Sequence, residues 1–76
     1  MSEHIAREVQ HNLKMFNDIA RNLSAGRDQQ KAADMVAAHV KRFWSPMMID
    51  SLLNAREAID AELLDVARIA LPLIDQ

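Results

Sequence analysis

The sequence predicts an all-α protein, a small bundle of three to four helices, on three observations. Glycine occurs once and proline twice in 76 residues, while Ala, Leu, Met, Glu, Gln, Lys and Arg, all good helix formers, dominate the rest. Apolar residues return at intervals of three and four rather than in strict alternation. Turn-forming residues punctuate the chain at few places: "SAGRD" at 24–28, "SP" at 45–46, and Pro72.

The first helix is expected over residues 3–24. Ser2 is a candidate N-cap, and Ile5, Val9, Phe16, Ala20 and Leu23 form one apolar stripe with Leu13 and Ile19 on its flanks. Gly26 then stands where a left-handed residue is needed to end the helix. Asp28 caps a second helix over 28–44, whose inward face is read as Ala32, Val36, His39, Val40 and Phe43, with Met35 at its edge. That helix must stop by Ser45, because the residue before a proline is pushed out of helical geometry. Ser45 and Pro46 then serve as N-cap and first residue of a third helix over 46–56.

From Pro46 onward Ile49, Leu52, Leu53, Leu63, Leu64, Ala67, Ala70, Leu71 and Ile74 stay in helical phase, so one long helix over 46–74 is an alternative. Against it, Arg56 and Asp60 would stand in the middle of that stripe, where charges are expensive to bury. A turn between them avoids the cost. Asp60 would then cap a fourth helix over 60–74, with Ile59 and Leu64 as a hydrophobic staple.

A chain of 76 residues makes one domain, here taken as 1–76, and buries only roughly 60–65% of its unfolded surface. Its core is thin. Without cysteine there is neither a disulfide nor a thiolate zinc site to supplement it, so stability comes from helix packing or from a partner. Nine basic and eleven acidic residues give a net charge of −2, mixed along the chain, which argues against nucleic acid as a partner. No stretch approaches the ~18 apolar residues of a membrane span, and "MSEHIAREVQ" lacks the basic and apolar regions of a secretory signal. The expected location is cytoplasmic.

Few residues offer chemistry. In "HIAREVQH", His4, Glu8 and His11 share one helix face, and Glu-x-x-His is half of the arrangement found in carboxylate-bridged di-iron bundles. No second copy exists, and His4 and His11 lie on the order of 10 Å apart along a helix; a solvated face is the favoured reading. His39, on the apolar face of the second helix, reads as a buried imidazole with an architectural role. Glu57, Asp60, Glu62 and Asp65 cluster where a helix start favours negative charge. No catalytic residue and no metal or cofactor ligand is assigned.

The costliest side chains gather in "HVKRFWSPMM", residues 39–48. Trp44 falls a quarter turn from Val36, Val40 and Phe43, and is either a flank of the core or a surface anchor. Met47 and Met48 follow, and Met15 lies off the first helix's stripe. Trp, Met and Arg are enriched at interfaces, so a docking patch competes evenly with core closure.

These residues also carry a resemblance. "KMFNDIARNL" at 14–23, followed by an Ala-rich stretch and then "HVKRFWSPMMIDSLL" at 39–53, is similar to the delta subunit of NAD-dependent, molybdenum-containing formate dehydrogenase. Met15, Asn17, Ile19 and Ala20 match the first element of that family. His39, Val40, Arg42, Phe43, Trp44, Pro46, Met48, Leu52 and Leu53 match the second, with Phe-Trp-x-Pro its most specific part. The chain departs from the family at Met47 and Ile49, where basic residues are usual, and at "NAREAID", where a glycine-bearing turn is usual.

The resemblance implies a non-catalytic accessory subunit that supports the assembly or stability of an enzyme oxidising formate to carbon dioxide with NAD reduction. It implies the catalytic large subunit as partner. Molybdopterin, iron–sulfur clusters, FMN and NAD would then reside in partner subunits. Met15, Asn17, His39, Arg42, Phe43, Trp44, Pro46, Met47 and Met48 are the residues expected to build the corner or meet the partner. The alternative is a free-standing helical adaptor or a homodimer completing its thin core with a second copy.

Overall fold

The structure, a computed structural model, describes residues 6–75. Five α-helices follow one another: α1 Arg7–Ser24, α2 Gln29–Phe43, α3 Pro46–Asn54, α4 Arg56–Ile59 and α5 Asp65–Ile74, with a 3-10 turn, Asp60–Glu62, before the last. The all-α class is as the sequence predicts, but the count is five rather than three to four. A single helix over 46–74 does not form. The residues expected to start the first helix, Ser2 to Ile5, lie outside the described part.

Local chemistry sets most boundaries. The α1–α2 link is a type II turn: Ala25 has φ −61° and ψ 121°, Gly26 has φ 72°, and the Arg27 N–H donates to Ser24 O at 3.1 Å. Such a turn needs a residue with positive φ at its third position, which glycine adopts without penalty. Gly26 thus has the left-handed conformation expected of it, one residue beyond the helix cap at Ala25. Asp28 accepts the Lys31 N–H at 2.8 Å, and Ser45 accepts the Met48 N–H at 3.2 Å with Pro46 at the first helical position. Both caps are the expected ones.

The chain breaks twice more than the apolar phase suggested. Ala55, at φ −97° and ψ 6°, separates α3 from α4. Leu63 and Leu64 then run extended, at ψ 137° and 156°, before α5 begins at Asp65. Asp60 therefore does not cap the last helix, and Leu64 occupies the cap position itself rather than the staple. The exposed charges that argued against a continuous helix pair across the break, Arg56 with Asp75 at 3.3 Å and Asp60 with Arg68 at 3.4 Å, and within α5 Arg68 also pairs with Asp65 at 3.2 Å. Arg68 also donates to Asp60 O and Leu63 O, at 2.9 and 3.1 Å. One guanidinium thereby adds a second donor to Asp60 O, which already accepts the Leu63 N–H, and supplies one to Leu63 O at the break.

Packing is densest between α2 and α5. Their facing sides carry alanines, Ala32, Ala33 and Ala37 on one and Ala67 and Ala70 on the other, all buried. Small side chains let helix axes approach closely, and Val36, Val40, Val66, Leu71 and Ile74 fill the rest of that layer. Helix α1 closes it with Leu13, Phe16 and Ala20, while Leu52 and Ile59 contribute from α3 and α4. The Cα radius of gyration, 11.5 Å, is that of a compact chain of this length, about 11 Å.

Candidate functional site

The corner between α2 and α3 is where the sequence concentrates its aromatic and methionine residues, and the structure sorts them into two sides. Trp44 leaves α2 in an extended conformation, φ −85° and ψ 146°, while its N–H still donates to Val40 O at 2.9 Å. Trp44 thus stays one turn beyond Val40 on the buried side of α2, and the chain turns away only after it. Trp44 is 8% exposed and meets the fully buried Phe16 edge to face, with ring centroids 6.2 Å apart at 68°, an arrangement that aromatic quadrupoles favour.

Phe43 points the other way, 66% exposed. The inward placement expected for Phe43 and His39 is therefore reversed: His39 is exposed as well, its ring 4.8 Å from that of Phe43. The physical reason lies in the alanines. The buried stripe of α2 runs through Ala33, Val36, Ala37, Val40 and Trp44, and at about 100° per residue His39 lies roughly 100° from its centre. Reading large residues as the core face rotated the helix by a substantial part of a turn.

Outside, the Arg42 guanidinium lies over the Phe43 ring, 5.5 Å from its centroid, a cation–π contact on the surface. Met47, just past the corner, is 75% exposed, and Pro46 is exposed too. Met15 and Met48 are half-buried against the core. Trp44 thus anchors the corner to the core, whereas Phe43, Arg42 and Met47 stand in solvent.

Asn17 does something that spacing gave no hint of. Its Nδ2 donates to Glu62 O at 2.9 Å, and its Oδ1 accepts the Leu64 N–H at 3.0 Å. A single carboxamide thus holds the loop before α5 against α1, using its donor and its acceptor at once.

Asn12 was also missed, although it lies on the α1 stripe between Val9 and Phe16. It is 2% exposed, and its Nδ2 is buried without a hydrogen-bond partner among the described residues. Glu8 and His11 are exposed, and His4, which would complete their face, lies outside the described part. Among the described residues no three His, Asp or Glu side chains are grouped so as to hold a metal ion. The sequence has no cysteine for an iron–sulfur cluster, so these residues do not fit the donor sets that such groups require. No described helix is long and apolar enough to cross a membrane.

Of the depressions on the surface, two differ in character. One, of about 560 Å³, is edged by Arg56, Glu57, Asp60, Arg68 and Asp75, with Leu71 and Pro72 at its base; most of its charges are already paired to one another. The other, of about 300 Å³, runs between the end of α1 and the outer side of α2, lined by Leu23, Met35, Ala38, His39, Arg42 and Phe43. It is chiefly apolar and open to solvent. The residues on this outer face are suited to contact rather than chemistry.

Residues 12–71 match the family described as NADH-dependent formate dehydrogenase delta subunit FdsD. Among curated proteins nothing matches the chain, and among solved structures nothing does.

Proposed function

Because the chain belongs to the NADH-dependent formate dehydrogenase delta subunit family, we propose that it is a non-catalytic accessory subunit acting by contact with the catalytic large subunit. The division at the corner carries this reading. Trp44 supplies the core with its aromatic anchor, while Phe43 and Met47, large apolar groups costly to expose, stand in solvent on either side of it. Exposed aromatic, methionine and arginine side chains in one neighbourhood are the composition of a contact surface.

In this reading, oxidation of formate and reduction of NAD take place elsewhere in the complex, on molybdopterin, iron–sulfur clusters and FMN held by other subunits. The chain supports their assembly or stability in the cytoplasm. Removing the exposed apolar area from water favours association by roughly 25 cal/mol per Å² before the costs of ordering are counted.

The test is co-purification of the full chain, tagged at its C-terminus, from cells grown with formate. Recovery of the catalytic subunit together with formate-dependent NAD reduction is the expected result. A chain recovered only with copies of itself would replace this reading with that of a self-associating helical adaptor.

A further inference from the structure

The groove beside Phe43 differs from the rest of the surface in charge. The chain as a whole is acidic, at −2, yet residues 35–49 contain Lys41 and Arg42 and no carboxylate. Arg42 has no ion pair among the described residues and lies against the Phe43 ring. Arg27 does not line the groove itself but lies beside its Leu23 end, its Nη1 donating to Leu23 O at 3.0 Å and Ala25 O at 3.4 Å, also without a carboxylate among the described residues.

The nearest acidic groups along the chain are otherwise engaged. Asp28 accepts the Lys31 N–H as a helix cap, Asp34 accepts from Gln30, and Asp18 is held by Arg21 and Lys14. One guanidinium free of acidic partners among the described residues, Arg42, therefore lines a trough otherwise formed by Leu23, Met35, Ala38, His39 and Phe43, and a second, Arg27, is hydrogen-bonded to the backbone of its Leu23. Lys41, by contrast, is directed toward α5, where it donates to Leu73 O at 3.4 Å.

We infer that this groove docks an acidic amphipathic segment of the catalytic subunit, one apolar side chain entering between Leu23 and Phe43 and carboxylates on its flanks pairing with Arg27 and Arg42. The inference rests on the accessory-subunit reading and specifies where and by what chemistry the contact is made. Arginine is suited to this role because its planar fork pairs with carboxylates in a bidentate fashion. Helix α2 also ends here, and the basic residues of its last turn sit where the helix dipole is negative; a partner carboxylate must therefore approach the guanidinium groups rather than the helix end.

The test measures binding of the full chain to the catalytic subunit at two salt concentrations. Arg27→Glu/Arg42→Glu should weaken binding by at least about tenfold at low salt and flatten its salt dependence. Phe43→Ala should weaken it with the salt dependence kept, and Glu57→Lys, on α4 outside the groove, should bind as wild type. p-Benzoylphenylalanine in place of Phe43, photo-activated in the complex, should attach to a peptide of the catalytic subunit that contains Asp or Glu beside an apolar residue.

Variants with intact helicity that bind like the wild type would overturn the inference while leaving the accessory role standing. Attachment to a basic peptide, or to a second copy of this chain, would overturn it too. Failure of the wild type itself to bind would remove both the accessory reading and this inference.

Discussion

The Asn17 carboxamide oxygen accepts the backbone N–H of Leu64 at 3.0 Å, joining the middle of the first helix to the residue that opens the last. The amide nitrogen of Asn17 completes the clamp at Glu62 O. In the extended stretch at Leu63 and Leu64 the Leu63 N–H still donates to Asp60 O and Leu64 O accepts the Arg68 N–H, whereas the Leu64 N–H is held by Asn17 and Leu63 O by the Arg68 guanidinium.

Asn17→Ala should accordingly destabilise the fold by about 1–2 kcal/mol, since two partly accessible backbone groups lose their partners. For a domain of this size each kcal/mol lowers the melting temperature by roughly 4–8 °C. Asn17→Asp, which keeps the acceptor and loses the donor, should fall between the two in a thermal melt followed by circular dichroism. An alanine variant melting with the wild type would show that the clamp contributes nothing.

Trp44→Ala should cost about 3–5 kcal/mol, the usual loss for a buried aromatic, enough to unfold much of so small a domain at ambient temperature. Phe43→Ala, one residue away and exposed, should change stability by no more than about 0.5 kcal/mol. Urea titration of the two variants reads the contrast directly. Equal losses would mean that the corner is not divided into an inner and an outer side.

Gly26→Ala should destabilise by roughly 1–2 kcal/mol, the cost of holding a Cβ-bearing residue at positive φ. Beyond the adjoining residues no atom lies within 4 Å of where that Cβ would stand, so the loss is local backbone strain and not a clash with the rest of the fold. Gly26→Asn, which tolerates the left-handed region better, should lose less in the same melt.

The Asp18 carboxyl is held below the ordinary aspartate range, first by its hydrogen bond from Arg21 and then by Lys14. A lowered folded-state pKa adds stability above the unfolded-state value, and that contribution disappears as pH falls through the lowered value. An NMR titration should place the Asp18 transition below that of an aspartate in the unfolded chain. Arg21→Gln should move it upward, the group being surface-exposed and the effect on stability small.

The parts legible in the sequence were those governed by neighbours along the chain. Asp28, Ser45 and Pro46 each meet their partners within three residues, and Gly26 is the one residue that fits its turn without strain. The last helix boundary was not legible, because it is held by Asn17 from another helix and by Arg68 from beyond the break. The orientation of α2 was misread for a different reason: its buried stripe is largely alanine, a weak hydrophobic signal, so His39 and Phe43 drew the stripe toward themselves.

For the candidate surface, the resemblance singled out Arg42, Phe43 and Trp44, while the apolar pattern placed Phe43 inward and left Trp44 as either a flank of the core or a surface anchor. Helical phase makes the actual separation, with Trp44 one turn beyond Val40 on the buried side and Phe43 outside it. Leu23 was legible only as part of the apolar stripe of α1, and it joins the groove, with Arg27 beside it, only because the end of α1 lies next to α2.

The claim that this chain supports a catalytic complex without contributing to its chemistry is tested most directly by thermal inactivation of formate dehydrogenase prepared with and without it. With formate-dependent NAD reduction as the readout, the account predicts a longer half-life or a higher yield of assembled enzyme when the chain is present, and the same turnover per intact active site. An enzyme that assembles and endures equally well without the chain, or whose intact active sites turn over only when it is bound, would contradict the account.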